Sequence, residues 1–218
     1  KMDNISPLLA ALLAKGPVRA DGFTYYMYGN TLRKCKSKRG PKKTKAEGEK
    51  KGVERFTIAR KMWKVYRLAI GDLPIWRVMA RETNMSKSDS LFHATNGGCL
   101  RPGVGVWAFP TFRFSVGTLD APLITGIERD GWQVTIHWKN DEDRSEAYLA
   151  ERVFIGYFYD SLPDSPQLIK DIPARRGDSS VTVNIPIAGQ PDGTPLHVYL
   201  FFGDEQLNHF SPSGYASV

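Results

Sequence analysis

Apolar residues in the middle of the chain recur with the period of an α-helix. Between Phe56 and Ile70 they occupy every third or fourth position, which predicts one helix that buries a single stripe. The stripe comprises Phe56, Ala59, Trp63, Tyr66 and Ile70. Thr44 and Glu47 have the spacing of a capping box, so the helix is predicted to begin near them. Pro74 starts a second segment, whose buried side is predicted to comprise Ile75, Trp76, Val78 and Met79.

After Asp120 the pattern changes to short stretches in which apolar and polar residues alternate, as they do in β-strands. The residues that share one face of the clearest stretch are Trp132, Val134, Ile136 and Trp138. Strands are predicted near residues 122–127, 132–138, 153–159, 167–169, 180–185, 196–202 and 213–218. Short strands separated by turns at this spacing are typical of a β-sandwich. A similar alternation from Trp107 to Phe114 predicts an edge strand that leads into this region.

Several residues of the C-terminal part match the pattern of one sandwich family. Pro122 opens the first strand, and the second strand contains Gly-Trp-x-Val-x-Ile-x-Trp. Gly-Tyr-x-Tyr lies in the third strand, and Tyr199 occupies a later strand in which that family often has a tyrosine. Residues 120–218 therefore resemble the fibronectin type III domain, which implies a fibronectin III/immunoglobulin-like β-sandwich. That fold hosts adhesion, assembly and spacer roles, so it assigns no function by itself.

An aromatic stretch near the N-terminus ends in a turn signal. Residues 22–30 close with Gly29-Asn30, and Thr31-Leu32-Arg33 resumes the strand pattern, which predicts a β-hairpin. The aromatic side chains of this stretch are Phe23, Tyr25, Tyr26 and Tyr28. Three roles are open to them: packing within the fold, stacking on nucleic-acid bases, and pairing with the sheet edge of a neighbouring molecule.

These patterns predict a mainly β chain with an N-terminal α+β part. Residues 1–82 form a basic module of a hairpin and helices, and residues 83–119 form a Gly-rich connecting segment with a short helix near Ser90–Ala94. Residues 120–218 form the predicted sandwich.

Charge is divided unevenly between these parts. The chain has a formal net charge of +7, yet residues 1–82 hold 20 Lys/Arg and 7 Asp/Glu, whereas residues 83–218 hold 10 and 16. The basic faces of the two predicted helices extend a basic segment that lies before them. That segment contains Arg33, Lys34, Lys36, Lys38, Arg39, Lys42, Lys43, Lys45, Lys50 and Lys51.

Three interpretations of the basic segment are open. It contacts the phosphates of DNA or RNA, it docks on the acidic half of another copy, or it is a solvated loop without a partner. No helix-turn-helix, zinc-finger or ribonucleoprotein motif is visible in the sequence, so plain electrostatic contact is favoured over the recognition of a base sequence.

Residues that support catalysis do not cluster in the sequence. Cys35 and Cys99 lack the spacing of a zinc site, and Asp141-Glu142-Asp143 lacks that of an EF-hand. His137 and His197 alternate with apolar residues, which predicts solvent-facing positions for both. No nucleophile elbow, zinc-protease or nucleotide-loop motif is visible. We therefore expect no enzyme, no metal and no cofactor.

Short matches along most of the chain resemble a family of uncharacterised Bacteroidota proteins, known as a domain of unknown function. They are Ile5-Ser6, Gly16-Pro17-Val18, the strand at 22–28, Thr44-x-x-Glu47, Arg55-Phe56, Val198–Phe202 and Ser211-x-Ser213-x-Tyr215. The family has no assigned activity, so no functional residue carries over from it.

The sequence favours a structural or assembly protein, of the kind found at surfaces or in virions. Its expected partner is itself, as a homo-oligomer or filament, or another protein. Non-specific nucleic-acid binding through residues 33–51 is the alternative. No apolar run is long enough to span a membrane, and the longest, Pro7–Ala14, is expected to pack on the fold. The compartment stays open between the cytoplasm and a larger assembly.

Overall fold

The structure is a computed structural model that describes residues 13–28, 31–37, 47–85, 87–141, 143–186, 190 and 193–218. The chain divides into two compact units, Lys1–Glu47 and Gly48–Val218. The predicted turn at Gly29-Asn30, the cap at Thr44 and most of the apolar run Pro7–Ala14 lie outside the described residues. So do Lys38, Arg39, Lys42, Lys43 and Lys45 of the basic segment.

The described part of the first unit contains a three-stranded antiparallel sheet. Its strands are β1 (Val18–Ala20), β2 (Phe23–Tyr28) and β3 (Thr31–Lys36), in the order β1-β2-β3. The register runs from Phe23 opposite Lys36 to Tyr28 opposite Thr31, so the predicted hairpin is confirmed. Because the aromatic strand β2 lies in the middle, the edges of this sheet belong to β1 and β3.

The second unit begins with three helices, α1 (Glu47–Ile70), α2 (Ile75–Glu82) and α3 (Ser88–Asn96). The two predicted long segments are thus confirmed as helices, but the buried stripe of α1 is different. It comprises Ala59, Met62, Tyr66 and Ile70, whereas Phe56 is 54% exposed. Phe56 instead lies edge-on to His93, because the core against which α1 packs begins one turn later, at Ala59. Gly71, with φ of 58°, ends α1 and allows the chain to turn into α2.

The segment between the helices and the main sheets is mostly irregular. It contains the two-residue strands β4 (Leu100–Arg101) and β5 (Gly105–Val106) and a 3-10 turn at Phe109–Thr111. The edge strand predicted for residues 107–114 is therefore wrong. Phe109, Phe112 and Phe114 are all buried in the core, so their alternation reflects core packing and not pairing in a ladder.

Two antiparallel sheets make up the rest of the second unit. Their strands are β6 (Leu123–Asp130), β7 (Gln133–Lys139), β8 (Arg152–Tyr159), β9 (Gln167–Ile169), β10 (Ser180–Asn184), β11 (Leu196–Gly203) and β12 (Gly214–Ser217). One sheet has the order β10-β7-β6, the other β12-β11-β8-β9, and the short helix α4 (Glu146–Leu149) joins β7 to β8. The fold is thus mixed α+β with antiparallel sheets, and all seven predicted strands are present.

One predicted strand residue faces water. Trp132 is 59% exposed, because β7 starts only at Gln133 and the turn at Gly131 places the indole outside the sheet. The remaining predicted residues of that face, Val134, Ile136 and Trp138, are buried as expected.

Two hydrophobic cores lie on opposite faces of strands β8 and β11. One core contains side chains of both sheets, such as Ile136 and Ile155. The other joins α1, α2 and the phenylalanines of residues 109–114 to the opposite face of β8 and β11, at Phe158 and Tyr199 for example. Strands covered on both faces explain why every residue of β11 is buried.

The Tyr66 side chain ties the helices to this second core. It is fully buried, and its hydroxyl donates to the carbonyl oxygen of Phe114 at 2.6 Å. The same hydroxyl accepts a hydrogen bond from Nε1 of Trp76 at 2.9 Å. Burial raises the pKa of Tyr66, with the Trp76 hydrogen bond opposing the rise, so the hydroxyl remains a proton donor. One side chain of α1 thereby fixes α2 and the segment that leads into the sheets.

We predict that Tyr66→Phe lowers the free energy of unfolding by about 1–3 kcal/mol, because it leaves a buried donor and a buried acceptor without partners. Urea denaturation followed by circular dichroism measures the change. Tyr28→Phe is the matched control, since Tyr28 is 67% exposed and loses only a hydroxyl exposed to water. Equal effects of the two substitutions would contradict the assigned role of Tyr66.

Candidate functional site

Exposed basic side chains concentrate on the helices of the second unit. Residues 48–101 hold 11 Lys/Arg and 5 Asp/Glu, whereas residues 102–218 hold 8 and 15. We call the exposed cations of α1 from Arg55 onward, of α2 and of the chain just before α3 the basic helical surface. Its members are Arg55, Arg60, Lys61, Lys64, Arg67, Arg77, Arg81 and Lys87. Charges of one sign on one surface generate a field that attracts polyanions.

The packing of α1 determines which of its residues form this surface. The buried stripe takes up one side of the helix, and the remaining positions face solvent. From Arg55 to Ile70 the helix contains five Lys/Arg and no Asp/Glu. Since a helix rises about 1.5 Å per residue, the basic residues from Arg55 to Arg67 extend over roughly 18 Å.

A cleft of about 730 Å³ lies where α1, α2 and the start of α3 meet. Four cationic side chains line it, from Arg67, Arg77, Arg81 and Lys87, together with the carboxylates of Asp72 and Asp89. Cations therefore outnumber carboxylates two to one along the cleft. Guanidinium groups form bidentate hydrogen bonds to phosphate or carboxylate oxygens, so the cleft is suited to an anionic ligand.

The basic residues that the sequence singled out are found in both units. Arg33, Lys34 and Lys36 lie on β3, and Lys50 and Lys51 lie on α1. On the first sheet they adjoin the predicted aromatic side chains. The Arg33 guanidinium lies 4.7 Å from the centre of the Tyr28 ring, and the Lys34 ammonium lies 5.2 Å from that of Phe23.

The other two aromatic side chains of β2, Tyr25 and Tyr26, are half-buried. The sequence interpretation named the basic faces of the two helices as an extension of the basic segment, but it did not select as site residues the four cations that line the cleft, Arg67, Arg77, Arg81 and Lys87. Two features of the sequence point to three of these residues. Arg67 lies in a stretch without acidic residues, between Arg55 and Gly71, and Arg77 and Arg81 are four residues apart, which places them on one side of a helix.

His197 does not face solvent as predicted, since it is only 8% exposed. Its ring stacks on Phe109 at 3.6 Å, and its two nitrogens lie 2.9 Å from the Tyr215 hydroxyl and 3.1 Å from an Asp160 carboxylate oxygen. The strand alternation failed as a guide because β11 is covered on both faces. With both ring nitrogens engaged, His197 links β11 to β12 and to the loop after β8.

The described residues show no cluster of three His, Cys, Asp or Glu side chains that could hold a metal ion. Burial raises the pKa of the Cys99 thiol to about 11, so the thiol is protonated at neutral pH. Among the helices of the described residues, none is both long and apolar enough to cross a bilayer.

Comparisons with known proteins give little further information. No family model matches the chain, and no curated protein matches it either. One solved structure that is similar in part is the crystal structure of the Clostridium perfringens spore cortex lytic enzyme SleM, at 15% sequence identity and a TM-score of 0.30. The match covers 45% of this chain and 27% of that enzyme. A likeness at this level supports no inference about fold or activity.

A partly buried histidine, His93, lies beside the basic helical surface. His93 lies on α3 between the rings of Phe56 and Phe92, and its Nε2 atom is buried without a hydrogen-bond partner in the described part of the chain. Burial lowers the pKa of His93, while Asp89 opposes the change and Arg60 adds to it. The unfolded chain takes up this proton near pH 6.5, roughly the ordinary histidine value, and the folded chain resists it.

The stability that His93 contributes is therefore complete above the unfolded pKa and is lost as the pH falls through the lowered folded pKa. We predict that His93→Phe, which keeps the ring contacts, reduces the loss of unfolding free energy between about pH 7.5 and about pH 5. Denaturant titrations of the wild type and of His93→Phe at the two pH values measure this loss of unfolding free energy. An equal loss in the variant would show that His93 does not titrate in this way.

Proposed function

We propose that this protein binds nucleic acid through its phosphate backbone, without recognising a base sequence. The observation that carries the proposal is the basic helical surface with its cleft of four cationic side chains. Phosphate contacts supply most of the affinity in such binding, and they come from Arg and Lys side chains of this kind.

The dimensions of the surface agree with a polyphosphate strand. Consecutive phosphates of one duplex strand are about 3.4 Å apart along the axis. The roughly 10 Å of helix axis from Arg60 to Arg67, which share the solvent side of α1 with Lys64, therefore correspond to about three phosphates. The cleft then adds Arg77, Arg81 and Lys87 beyond Arg67. Long side chains on a helix adapt to phosphates in several positions, which suits binding without sequence preference.

Two groups of cations outside the cleft support the same proposal. Arg33, Lys34 and Lys36 lie together on one strand of the first unit, next to aromatic rings. The Lys-rich stretch from Lys38 to Lys45 follows β3 in the sequence of the same unit. Basic residues close to aromatic rings are a common feature of proteins that bind nucleic-acid strands.

We predict that the double variant Arg77→Gln/Arg81→Gln weakens binding to a labelled oligonucleotide and reduces the slope of log affinity against log salt. The slope changes by about 1 to 2, since each lost phosphate contact contributes about 0.9 in B-DNA. Fluorescence anisotropy over a salt series measures both quantities.

The control for this prediction is Lys139→Gln/Arg175→Gln, which removes the same charge from exposed positions outside the helices. Equal losses in both double variants would mean that only the net charge matters and that the cleft has no role.

Neutralising Lys42, Lys43 and Lys45 tests, by the same assay, the basic segment that the sequence predicted to bind nucleic acid. An unchanged affinity in that variant would show that this segment does not contribute to binding.

Self-association is a second candidate function, and the charge division within the second unit favours it. Residues 48–101 have an excess of six positive charges, and residues 102–218 have an excess of seven negative charges. Opposite charges on different parts of one molecule allow the basic helices of one copy to dock on the acidic region of another. Such contacts weaken as salt shortens the range of electrostatic attraction.

Gel filtration with light scattering separates the two candidate functions. For self-association we expect a mass above that of the monomer at low salt, which survives nuclease treatment and falls at high salt. A monomer at low salt after nuclease treatment would exclude this candidate. Nucleic acid that co-elutes with the protein and is removed only by nuclease or by high salt would support the nucleic-acid-binding function.

We also infer that the two sheets of the second unit form a fibronectin III-like β-sandwich. Side chains of both sheets share one core, which is the arrangement that packed sheets have. The orders β10-β7-β6 and β12-β11-β8-β9 are compatible with Greek-key connections between such sheets. In this arrangement the helices cover the outer face of the four-stranded sheet and present their basic side to solvent.

A further inference from the structure

The short hairpin between α3 and the sheets holds an exposed tryptophan in a fixed orientation. Trp107 is 46% exposed, and its Nε1 atom donates to the carbonyl oxygen of Gly98 at 3.2 Å. The Arg101 guanidinium lies 3.7 Å from the centre of the Trp107 ring. We call these two side chains the Trp107–Arg101 platform.

The hairpin geometry explains why the two side chains meet. Leu100 pairs with Val106 and Arg101 with Gly105, while the amide of Trp107 donates to the carbonyl of Cys99 at 3.0 Å. Arg101 and Trp107 are therefore diagonal neighbours on one face of the hairpin. The opposite face inserts Leu100 and Val106 into the core, which anchors the hairpin.

A glycine allows the hairpin to lie close to a neighbouring loop. The amide of Val106 donates to the carbonyl of Pro163 at 2.9 Å, and a Cβ atom on Gly105 would lie only 2.7 Å from that same oxygen. Gly105 also has φ of 103°, which L-residues with side chains rarely adopt. The platform thus rests on a backbone fixed from two sides, and a ligand that binds there does not need to order it.

Basic residues of α1 border the platform. A cleft of about 330 Å³ is lined by Trp107, Arg101, Lys51 and Arg55, together with Glu54 and the backbone of Gly97 and Gly98. This volume lies at the lower end of the range for small-ligand pockets, which is about 300–1,000 Å³. The combination of a flat aromatic ring, a stacked guanidinium and nearby cations suits a group that is planar at one end and anionic at the other.

We propose that the Trp107–Arg101 platform stacks on an unpaired base of a single-stranded nucleic acid, whose phosphates lie on Arg55 and the basic helical surface. The inference rests on the proposed nucleic-acid function and narrows it to strands with free bases. In a duplex both faces of each base are covered by neighbouring bases, so a ring within a cleft reaches only a base that has left the stack. Aromatic and guanidinium planes stack on any base, so this contact needs no particular sequence.

The test compares Trp107→Ala with Trp132→Ala, because Trp132 is another exposed tryptophan, located on the turn between β6 and β7. The probes are a labelled single-stranded oligothymidylate, a labelled duplex and an inorganic polyphosphate chain as competitor. We expect Trp107→Ala to weaken single-strand binding by roughly five- to 150-fold, which corresponds to the energy of one stacked base. For Trp107→Ala we expect the affinity for the duplex, the inhibition by polyphosphate and the slope of log affinity against log salt to equal those of the wild type. Trp107→Phe, which keeps an aromatic ring, retains most of the single-strand affinity.

Other outcomes overturn the inference in distinguishable ways. Equal losses for single strand and duplex, or no loss at all, would remove the stacking role and leave the phosphate-binding function intact. Equal effects of the Trp107 and Trp132 variants would do the same. If the wild type binds none of the three probes at low salt, the proposed function fails as well.

A second measurement needs no variant, which keeps the inference testable if Trp107→Ala fails to fold. A single strand that carries 5-bromouracil is irradiated in complex with the wild-type protein, and the crosslinked peptide is identified by mass spectrometry. A crosslink at Trp107 supports stacking on this ring. Crosslinks confined to peptides without Trp107 would overturn it.

Discussion

The hydroxyl of Tyr66 is the contact on which the arrangement of the second unit depends. It donates to the backbone of Phe114 and accepts from Trp76, so one buried group fixes two helices and the segment that enters the sheets. Around it, aromatic rings from α1, α2, α3 and residues 109–114 pack edge to face. Such a core holds α1 in one rotational position, and that position determines which side of the helix faces water.

The basic helical surface follows from this rotational position. With Ala59, Met62, Tyr66 and Ile70 turned inward, Arg60, Lys61, Lys64 and Arg67 face solvent. Arg55 lies on the side of the buried stripe and is exposed because the core begins one turn later, at Ala59. The end of α1 at Gly71 and the return of α2 then bring Arg77 and Arg81 beside Arg67. The cations of the cleft are thus placed by apolar packing of the helices that carry them.

Periodicity and alternation in the sequence predicted most of the helices and strands correctly. They failed where another part of the chain packs against the segment in question. The period of α1 identified the helix, but the stripe includes Met62 and excludes Phe56, because the end of the core and not the period decides which turn is buried. Alternation predicted a strand at 107–114, yet those rings fill the space between helices and sheet. The same alternation predicted that His197 faces solvent, yet it is buried because β11 is covered on both faces. The charge division was visible in full, whereas the convergence of Arg67, Arg77, Arg81 and Lys87 was not.

The sequence by itself determined the order of hairpin, helices and strands and the concentration of positive charge in the N-terminal part, because periodicity and charge are local properties of a chain. Only the tertiary structure decided which cations share a cleft and that Arg101 and Trp107 form one platform. Those arrangements depend on contacts between residues distant in sequence, such as Tyr66 with Phe114 and Val106 with Pro163. No pattern within a short window of the chain contains that information.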